Sequence, residues 1–253
     1  CSELYPNLYR DETAVRLIDE IDYDFSEAEK NSRGLMQRFG SLEVAMRQND
    51  LAFEVRDYLK SHPNAAVVNL GCGLDSTGRS CDNGSCKIYN LDFPDVIAVR
   101  NELLPAGERE ENIPCDLNNT EWFRKIDSSN GAVFFSSGVF YYFLTEQVKA
   151  LVQQMADAFP SSVLVFDAAN RTAVKMIAKT WLKSAKIKDV GAYFAVSDAP
   201  QEISAWDSRL QVTSRGYMLG YTDLKDPSVS GFFRLLAKVG DGMMKMQIVK
   251  INF

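Results

Sequence analysis

The sequence feature that most constrains the fold is a short apolar run that ends at two glycines. Residues 65–70 read Ala-Ala-Val-Val-Asn-Leu, and Gly71-Cys72-Gly73 follows directly. An apolar run of this length that contains valines predicts a buried strand, and the glycines predict a tight turn at its end. Because glycine lets a backbone approach a ligand closely, the turn is a candidate binding element.

Further strand candidates alternate with helical segments along the chain. We predict strands at residues 87–91, 111–115, 132–136, 162–167, 210–214 and 245–253. Helical spacing of apolar residues occurs in the first 60 residues, from Thr145 to Phe159, and at 170–188 and 228–239. Strands that alternate with helical crossovers predict a parallel sheet with helices on both faces. The strand–helix–strand ending predicts an antiparallel strand in that sheet.

The composition excludes several classes of protein. The 253 residues are 46% apolar with a formal net charge of −6, which argues for a globular chain and against neutralisation of nucleic-acid phosphates. No window approaches the roughly 18 apolar residues of a membrane span, and no signal peptide is visible. Five cysteines, one histidine and no CxxC pair argue against a disulfide framework, a metal site and a Ser-His-Asp mechanism. We therefore expect a cytoplasmic protein with reduced thiols, no metal and no membrane or nucleic-acid partner.

Three predicted strand ends carry residues that suit a nucleoside. Asp92 follows the second strand, 21 positions after Gly71, where an acid can hold the two hydroxyls of a ribose. Asp116 follows the third strand and can accept from an adenine amino group, with Leu117 packed on the ring. Ser76 occupies the third glycine position of the dinucleotide pattern, which favours S-adenosylmethionine over a pyrophosphate ligand. The alternative is that the glycines only make a turn and the aspartates cap helices.

Several motifs occur in the order found in one enzyme family. These are residues 21–25, the Asn-Ser-Arg-Gly stretch at 31–34, the glycine motif at 68–76, Asn-Leu-Asp-Phe-Pro-Asp-Val-Ile at 90–97 and Cys-Asp-Leu at 115–117. Together they resemble the leucine carboxyl methyltransferase family, which includes protein phosphatase methyltransferases and polyketide-synthesis O-methyltransferases. The resemblance implies S-adenosylmethionine as cofactor, with S-adenosylhomocysteine as product.

The resemblance also implies a fold. We expect the Rossmann-like α/β fold of class I methyltransferases, with a mostly parallel seven-stranded sheet and helices on both faces. Residues 1–253 would form a single methyltransferase domain. Residues 1–62 would be an N-terminal helical cap, and residues 63–253 a core with a lid-like segment near 170–209.

Cofactor-binding roles follow from the same resemblance. The expected cofactor-binding residues are Arg33, Gly71, Cys72, Gly73, Asp92, Phe93, Asp116, Leu117 and Ser137. Arg33 would pair with the carboxylate of the methionine moiety, because a guanidinium fork matches its two oxygens. Ser137 departs from the family, which usually has a glutamate there. A serine leaves a neutral hydroxyl near the reacting centre.

The methyl acceptor is less constrained. We expect transfer to a carboxylate or hydroxyl oxygen, in a polyketide-like small molecule or at a protein C-terminus. A carboxylate is ionised at neutral pH and needs no general base, and no catalytic residue stands out. Candidate acceptor-binding residues are Tyr142, Arg171, Tyr193 and Trp206. A catalytically degenerate protein that binds the cofactor, or a nucleotide-dependent oxidoreductase, are the alternatives.

Overall fold

The computed structural model describes residues 1–26, 30, 34–177, 179 and 191–253. Its strands are β1 Ala66–Leu70, β2 Lys87–Asp92, β3 Glu110–Pro114, β4 Ala132–Ser136, β5 Val163–Ala168, β6 Gln211–Gly216 and β7 Gln247–Asn252. Its helices include α1 Glu12–Glu20, α2 Leu35–Ser61, α3 Thr77–Ser80, α4 Pro94–Leu103, α5 Thr145–Ala158, α6 Arg171–Ile177, α7 Ala199–Ser204 and α8 Gly231–Gly242. Short 3-10 helices occupy Thr120–Lys125 and Phe140–Tyr142.

The strands form one sheet in the order β3-β2-β1-β4-β5-β7-β6. Neighbouring strands from β3 to β5 pair in parallel, whereas β7 is antiparallel to both β5 and β6. The mostly parallel seven-stranded α/β sheet predicted from the sequence is therefore confirmed. The chain runs outward in opposite directions from β1 and from β4, so the crevice beside their carboxyl ends is the topological switch point where such sheets bind ligands.

Helices bury both faces of the sheet. In β1, Val67 faces an apolar layer that includes α2 and α8, while Val68 faces a second layer that includes α5. Because side chains alternate along a strand, every residue of β1 is buried. Among the described residues, no helix is both long and apolar enough to cross a bilayer.

The predicted strands agree with the observed ones to within two residues. Of the helix predicted at 170–188, the structure shows α6, and residues 178 and 180–188 lie outside the described residues. β4 has the predicted bounds, and α5 buries the predicted apolar stripe of Val148, Leu151, Val152 and Met155. His62 lies at the end of α2, and its backbone N–H donates to the carbonyl of Tyr58. The glycine turn leads into α3, which is a single helical turn. Segment 190–209, predicted to be irregular, contains α7.

Candidate functional site

The glycine turn after β1 is closed against β2. The backbone N–H groups of Gly71 and Cys72 both donate to the carbonyl of Leu91, at 2.8 and 2.9 Å. Gly71 has φ +72°, and a Cβ there would lie 2.6 Å from Val139. Gly73 has φ +48°, and a Cβ there would meet no atom within 4 Å. The turn therefore packs tightly at Gly71 and presents bare backbone to open space at Gly73.

Asp92 sits at the end of β2 with its carboxylate turned toward this bend. Its Oδ2 accepts from the backbone N–H of Gly73 at 2.7 Å, and its Oδ1 accepts from that of Phe93 at 2.8 Å. Each oxygen thus keeps a lone pair, which matches the two hydroxyls of a ribose. The capping alternative is wrong for Asp92, because the N-cap of α4 is Phe93, with no side-chain hydrogen bond.

Asp116 and Leu117 follow β3 on the same edge of the sheet. The N–H of Cys115 donates to the carbonyl of Asp92 at 2.8 Å, which brings the segment beside Asp92. Asp116 is exposed, and its Oδ1 accepts from the backbone and side-chain nitrogens of Asn118, at 2.9 Å each. Asp116 does not cap the next 3-10 helix, whose N-cap is Asn119.

The sequence-predicted residues therefore meet along one edge. Gly73, Asp92 and Asp116 lie at the carboxyl ends of adjacent strands, with Leu117 buried beneath and Phe93 about half exposed beside them. Arg33 lies outside the described residues, so its expected role stays a prediction.

The structure adds Arg47, on α2, to this edge. Its Nη1 lies 3.2 Å from Oδ2 of the buried Asp167, whose Oδ1 accepts from the N–H of Gly138 at 2.6 Å. Burial alone would lower the pKa of Arg47, but Asp167 holds that pKa above its ordinary value. Within the described part of the chain, the buried Nε has no hydrogen-bond partner. A charged guanidinium with an unused donor therefore lies beside the end of β4.

The next residue on α2, Gln48, joins the ends of β1 and β4. Its Nε2 donates to Oδ1 of Asp75 at 3.2 Å, and its Oε1 accepts from the hydroxyl of Ser137 at 2.7 Å. Sequence reasoning missed Arg47 and Gln48 because both lie within a long helix whose buried residues include Asp50 and Glu54. No clean apolar stripe marks its inner face.

The candidate acceptor residues fall into two places. Tyr142, Arg171 and Tyr193 are exposed near the ends of β4 and β5, and the N–H of Tyr193 donates to the carbonyl of Tyr141 at 2.7 Å. Trp206 is half-buried, packs on Phe194, and accepts through its carbonyl from Gln153 of α5. The structure thus places Trp206 in the apolar layer on the α5 face.

Thiol chemistry does not suit this site. Burial raises the pKa of Cys72 to about 12 and that of Cys115 to about 11, so both thiols stay protonated near neutral pH. The site instead offers oxygen acceptors, the backbone groups of the glycine turn and the Arg47 cation.

Comparison with known proteins identifies the family. The sequence profile of the leucine carboxyl methyltransferase family matches residues 2–156, more than half of the chain. The chain belongs to this family. Tetracenomycin polyketide synthesis O-methyltransferase TcmP of Streptomyces glaucescens is 26% identical over 159 residues, which cover 62% of this chain and 57% of that protein.

Solved structures confirm the fold. A DUF574 family protein from Streptomyces avermitilis superimposes with a TM-score of 0.60 at 14% identity, covering 98% of this chain and 99% of that one. Human N-acetylserotonin methyltransferase, solved in complex with SAM, superimposes with a TM-score of 0.53 at 8% identity, covering 99% of this chain and 64% of that one. The leucine carboxyl methyltransferase family member described here thus has the Rossmann-like α/β methyltransferase fold.

Proposed function

We propose that this protein is an S-adenosylmethionine-dependent O-methyltransferase. The observation that carries the proposal is the Asp92 carboxylate, which keeps one lone pair on each oxygen and stands between the bare backbone of Gly73 and Asp116. This arrangement suits a nucleoside without phosphates. Membership of the leucine carboxyl methyltransferase family and the SAM complex of a protein with the same fold support the proposal.

The described residues fit the cofactor from end to end. Asp92 would hold the ribose, Asp116 and Leu117 the adenine, and the backbone at Gly73 would pass beneath the cofactor. The side chain of Arg47 is 23% exposed and offers a charged guanidinium to the methionine carboxylate. It would act with Arg33 or in its place. The bound cofactor supplies a methyl group on a positively charged sulfur.

The acceptor oxygen belongs to a carboxylate or an acidic hydroxyl in our proposal. Such a group is already ionised near neutral pH, so the protein has to align it rather than deprotonate it. A small polyketide-like molecule is the preferred acceptor because TcmP is a polyketide-synthesis enzyme, and a protein C-terminus is the second choice. Tyr142, Arg171 and Tyr193 would line its entrance. Residues 1–62 would be the cap and 170–209 the lid, although residues 27–29, 31–33, 178 and 180–190 of these segments lie outside the described residues.

Titration calorimetry with S-adenosylhomocysteine tests the cofactor site. The protein should bind this ligand and not NAD. Asp92→Ala should weaken binding at least about tenfold, because ribose hydroxyls lose their acceptors. Asp95→Ala removes an exposed aspartate three residues away and should leave the dissociation constant unchanged. Binding of NAD, or equal binding by the Asp92 variant, would overturn the assignment.

Methyl transfer is tested separately. The protein is incubated with isotopically labelled S-adenosylmethionine and a panel of aromatic carboxylic acids, acidic phenols and peptides with free C-termini. Labelled product should form with at least one carboxylate or acidic phenol. Tight cofactor binding without transfer to any member of the panel would instead indicate a binding protein that has lost catalysis.

A further inference from the structure

Helix α2 runs antiparallel to β4 and extends beyond the carboxyl edge of the sheet. Near the end of the helix, the Tyr58 hydroxyl lies against Gly131, just before β4, where a Cβ would be 2.5 Å away. Earlier on the helix, Gln48 accepts a hydrogen bond from Ser137, just after β4. Glu43 comes five positions before Gln48, so it lies about 7 Å further along the helix axis, above the edge where such sheets bind ligands.

Glu43 shares a face of α2 with Arg47, which comes one helical turn later. The contacts of Arg47 show where this face points. Its Nη1 lies 3.2 Å from Oδ2 of Asp167, near the end of β5, and would lie 3.1 Å from a Cβ on Gly138, just after β4. The face is therefore turned toward the ends of β4 and β5, beside the crevice that we assign to the methyl donor.

The carboxylate of Glu43 is open to a ligand. The residue is half-buried, and no hydrogen bond or ion pair joins it to any residue that the structure describes. Arg47 pairs with Asp167 instead. Tyr217 is a neutral neighbour, because burial and then the charge of Glu43 raise the pKa of its hydroxyl. A carboxylate with free lone pairs suits a ligand group that has a proton to give.

We propose that Glu43 is a catalytic residue, the general base that takes the proton from a phenolic hydroxyl of the acceptor. The proposal rests on the proposed function and widens its acceptors to phenols that are not ionised near neutral pH. As the proton passes to the Glu43 carboxylate, the phenol oxygen bonds to the methyl carbon. The carbon–sulfur bond breaks and its electron pair stays on sulfur. The proton then leaves Glu43 for water, so each turnover releases one proton.

The surroundings of Glu43 suit a base. Burial raises the pKa of Glu43 from 4.5 to about 7, against the opposing charge of Arg47. The charged or titratable groups that face it are Arg47, from α2, and Tyr217, from the segment after β6. Asp167 offsets the charge of Arg47. A base with a pKa near the working pH is largely deprotonated and still strong enough to accept a proton.

The alternative is that Glu43 only contributes to the packing or the charge of the site. Such a role would affect every acceptor alike, whereas a base affects only acceptors that arrive protonated. The pair of α-naphthol and its dinitro derivative separates the two roles. The first is protonated near neutral pH, as simple phenols are, and the second is already ionised.

Transfer of labelled methyl groups by the full chain measures kcat/KM for both naphthols. Wild type should methylate both. Glu43→Gln should lower kcat/KM for α-naphthol about 100-fold, which is typical of the loss of a general base, and should change that for the dinitro derivative little. Glu102→Gln, at an exposed glutamate of α4, is the matched control and should change neither.

The pH profile tests the base in the wild type as well. For α-naphthol, kcat/KM should rise with pH and level off above about pH 7, where Glu43 has lost its proton. For the dinitro derivative it should show no such rise. In Glu43→Gln, the residual transfer to α-naphthol should keep rising to about pH 9, because it uses only naphthol that has ionised in water.

The outcomes are distinct. If wild type transfers methyl groups to neither naphthol nor any other acceptor of the panel, the proposed function fails. Transfer confined to acceptors that are already ionised, or an equal loss for both naphthols in Glu43→Gln, overturns the base assignment alone. If Glu43→Gln does not fold, the wild-type profile decides, and a rate for α-naphthol that does not level off overturns the assignment.

Discussion

At the scale of single residues, the two glycines of the turn have different reasons to be glycine. Both adopt positive φ, which costs other residues roughly 1–2 kcal/mol. At Gly71 a side chain would also overlap Val139, whereas at Gly73 the space is open. Packing against Val139 therefore excludes a side chain at Gly71. At Gly73 a side chain would occupy the space that we assign to the cofactor.

Alanine substitutions should separate these reasons. Gly71→Ala should lower the free energy of unfolding in urea by at least about 2 kcal/mol, from strain plus overlap. Gly73→Ala should cost only about 1 kcal/mol in stability but weaken S-adenosylhomocysteine binding about tenfold. Gly84→Ala is the control, because Gly84 has φ +85° and open space in an exposed loop remote from the site. Equal binding by the Gly73 and Gly84 variants would contradict the cofactor position.

At the scale of elements, one side chain of α4 holds the glycine turn. Arg100 is almost fully buried, and its Nη1 donates to the carbonyls of Gly73 and Asp75, at 2.9 and 2.8 Å. Its Nε donates to Oδ1 of Asn112, on β3, at 3.1 Å. The turn, α4 and β3 are thus joined through one guanidinium.

Removal of this guanidinium should loosen the turn as well as the fold. Arg100→Met should lower the free energy of unfolding by about 3 kcal/mol, because buried carbonyls lose a charged donor. It should also weaken S-adenosylhomocysteine binding several-fold. Arg124→Met, at an exposed arginine of the first 3-10 helix, should change stability by less than about 0.5 kcal/mol. Calorimetry measures binding and urea unfolding measures stability. An unchanged dissociation constant in Arg100→Met would show that this side chain does not hold the turn in its binding conformation.

At the scale of the whole molecule, α2 buries acids between the sheet and the C-terminal third. Glu54 accepts from the Tyr221 hydroxyl at 2.7 Å and pairs with Lys250 of β7 at 2.9 Å. Asp50, one turn earlier, is 2% exposed. In the described residues its Oδ2 has no hydrogen-bond partner.

Asp50 should make stability depend on pH. Burial, with the neighbouring Asp241 and Glu54 and against the opposing effect of Arg215, raises the pKa of Asp50 from 3.8 to about 8. Because the folded state holds this proton more tightly than the unfolded chain, stability falls as pH rises from about 4 to 8. Asp50→Asn should remove this loss.

The gain in unfolding free energy from Asp50→Asn should increase by on the order of 2 kcal/mol between pH 5 and pH 8. Urea unfolding at several pH values measures it. Asp19→Asn, on the exposed face of α1, is the control and should show no such trend. A gain that stays constant with pH would disprove the assignment.

The sequence by itself determined the sheet and one half of the site. Local patterns of apolar residues, glycines and acids predict the strands, the turns and the aspartates at strand ends. Parallel strands bring their carboxyl ends to one edge of the sheet. Asp92 and Asp116 could therefore be placed together from their positions alone.

Only the tertiary structure decided the other half. Arg47 and Gln48 reach the site because α2 packs on the sheet in an orientation about its own axis that turns these two side chains toward the ends of β1 and β4. A helix that buries Asp50 and Glu54 beside Leu51 and Val55 has no apolar stripe from which that orientation can be read. The directions of the hydrogen bonds from Ser137 to Asp75 depend on contacts between residues up to 89 positions apart, which no local pattern specifies.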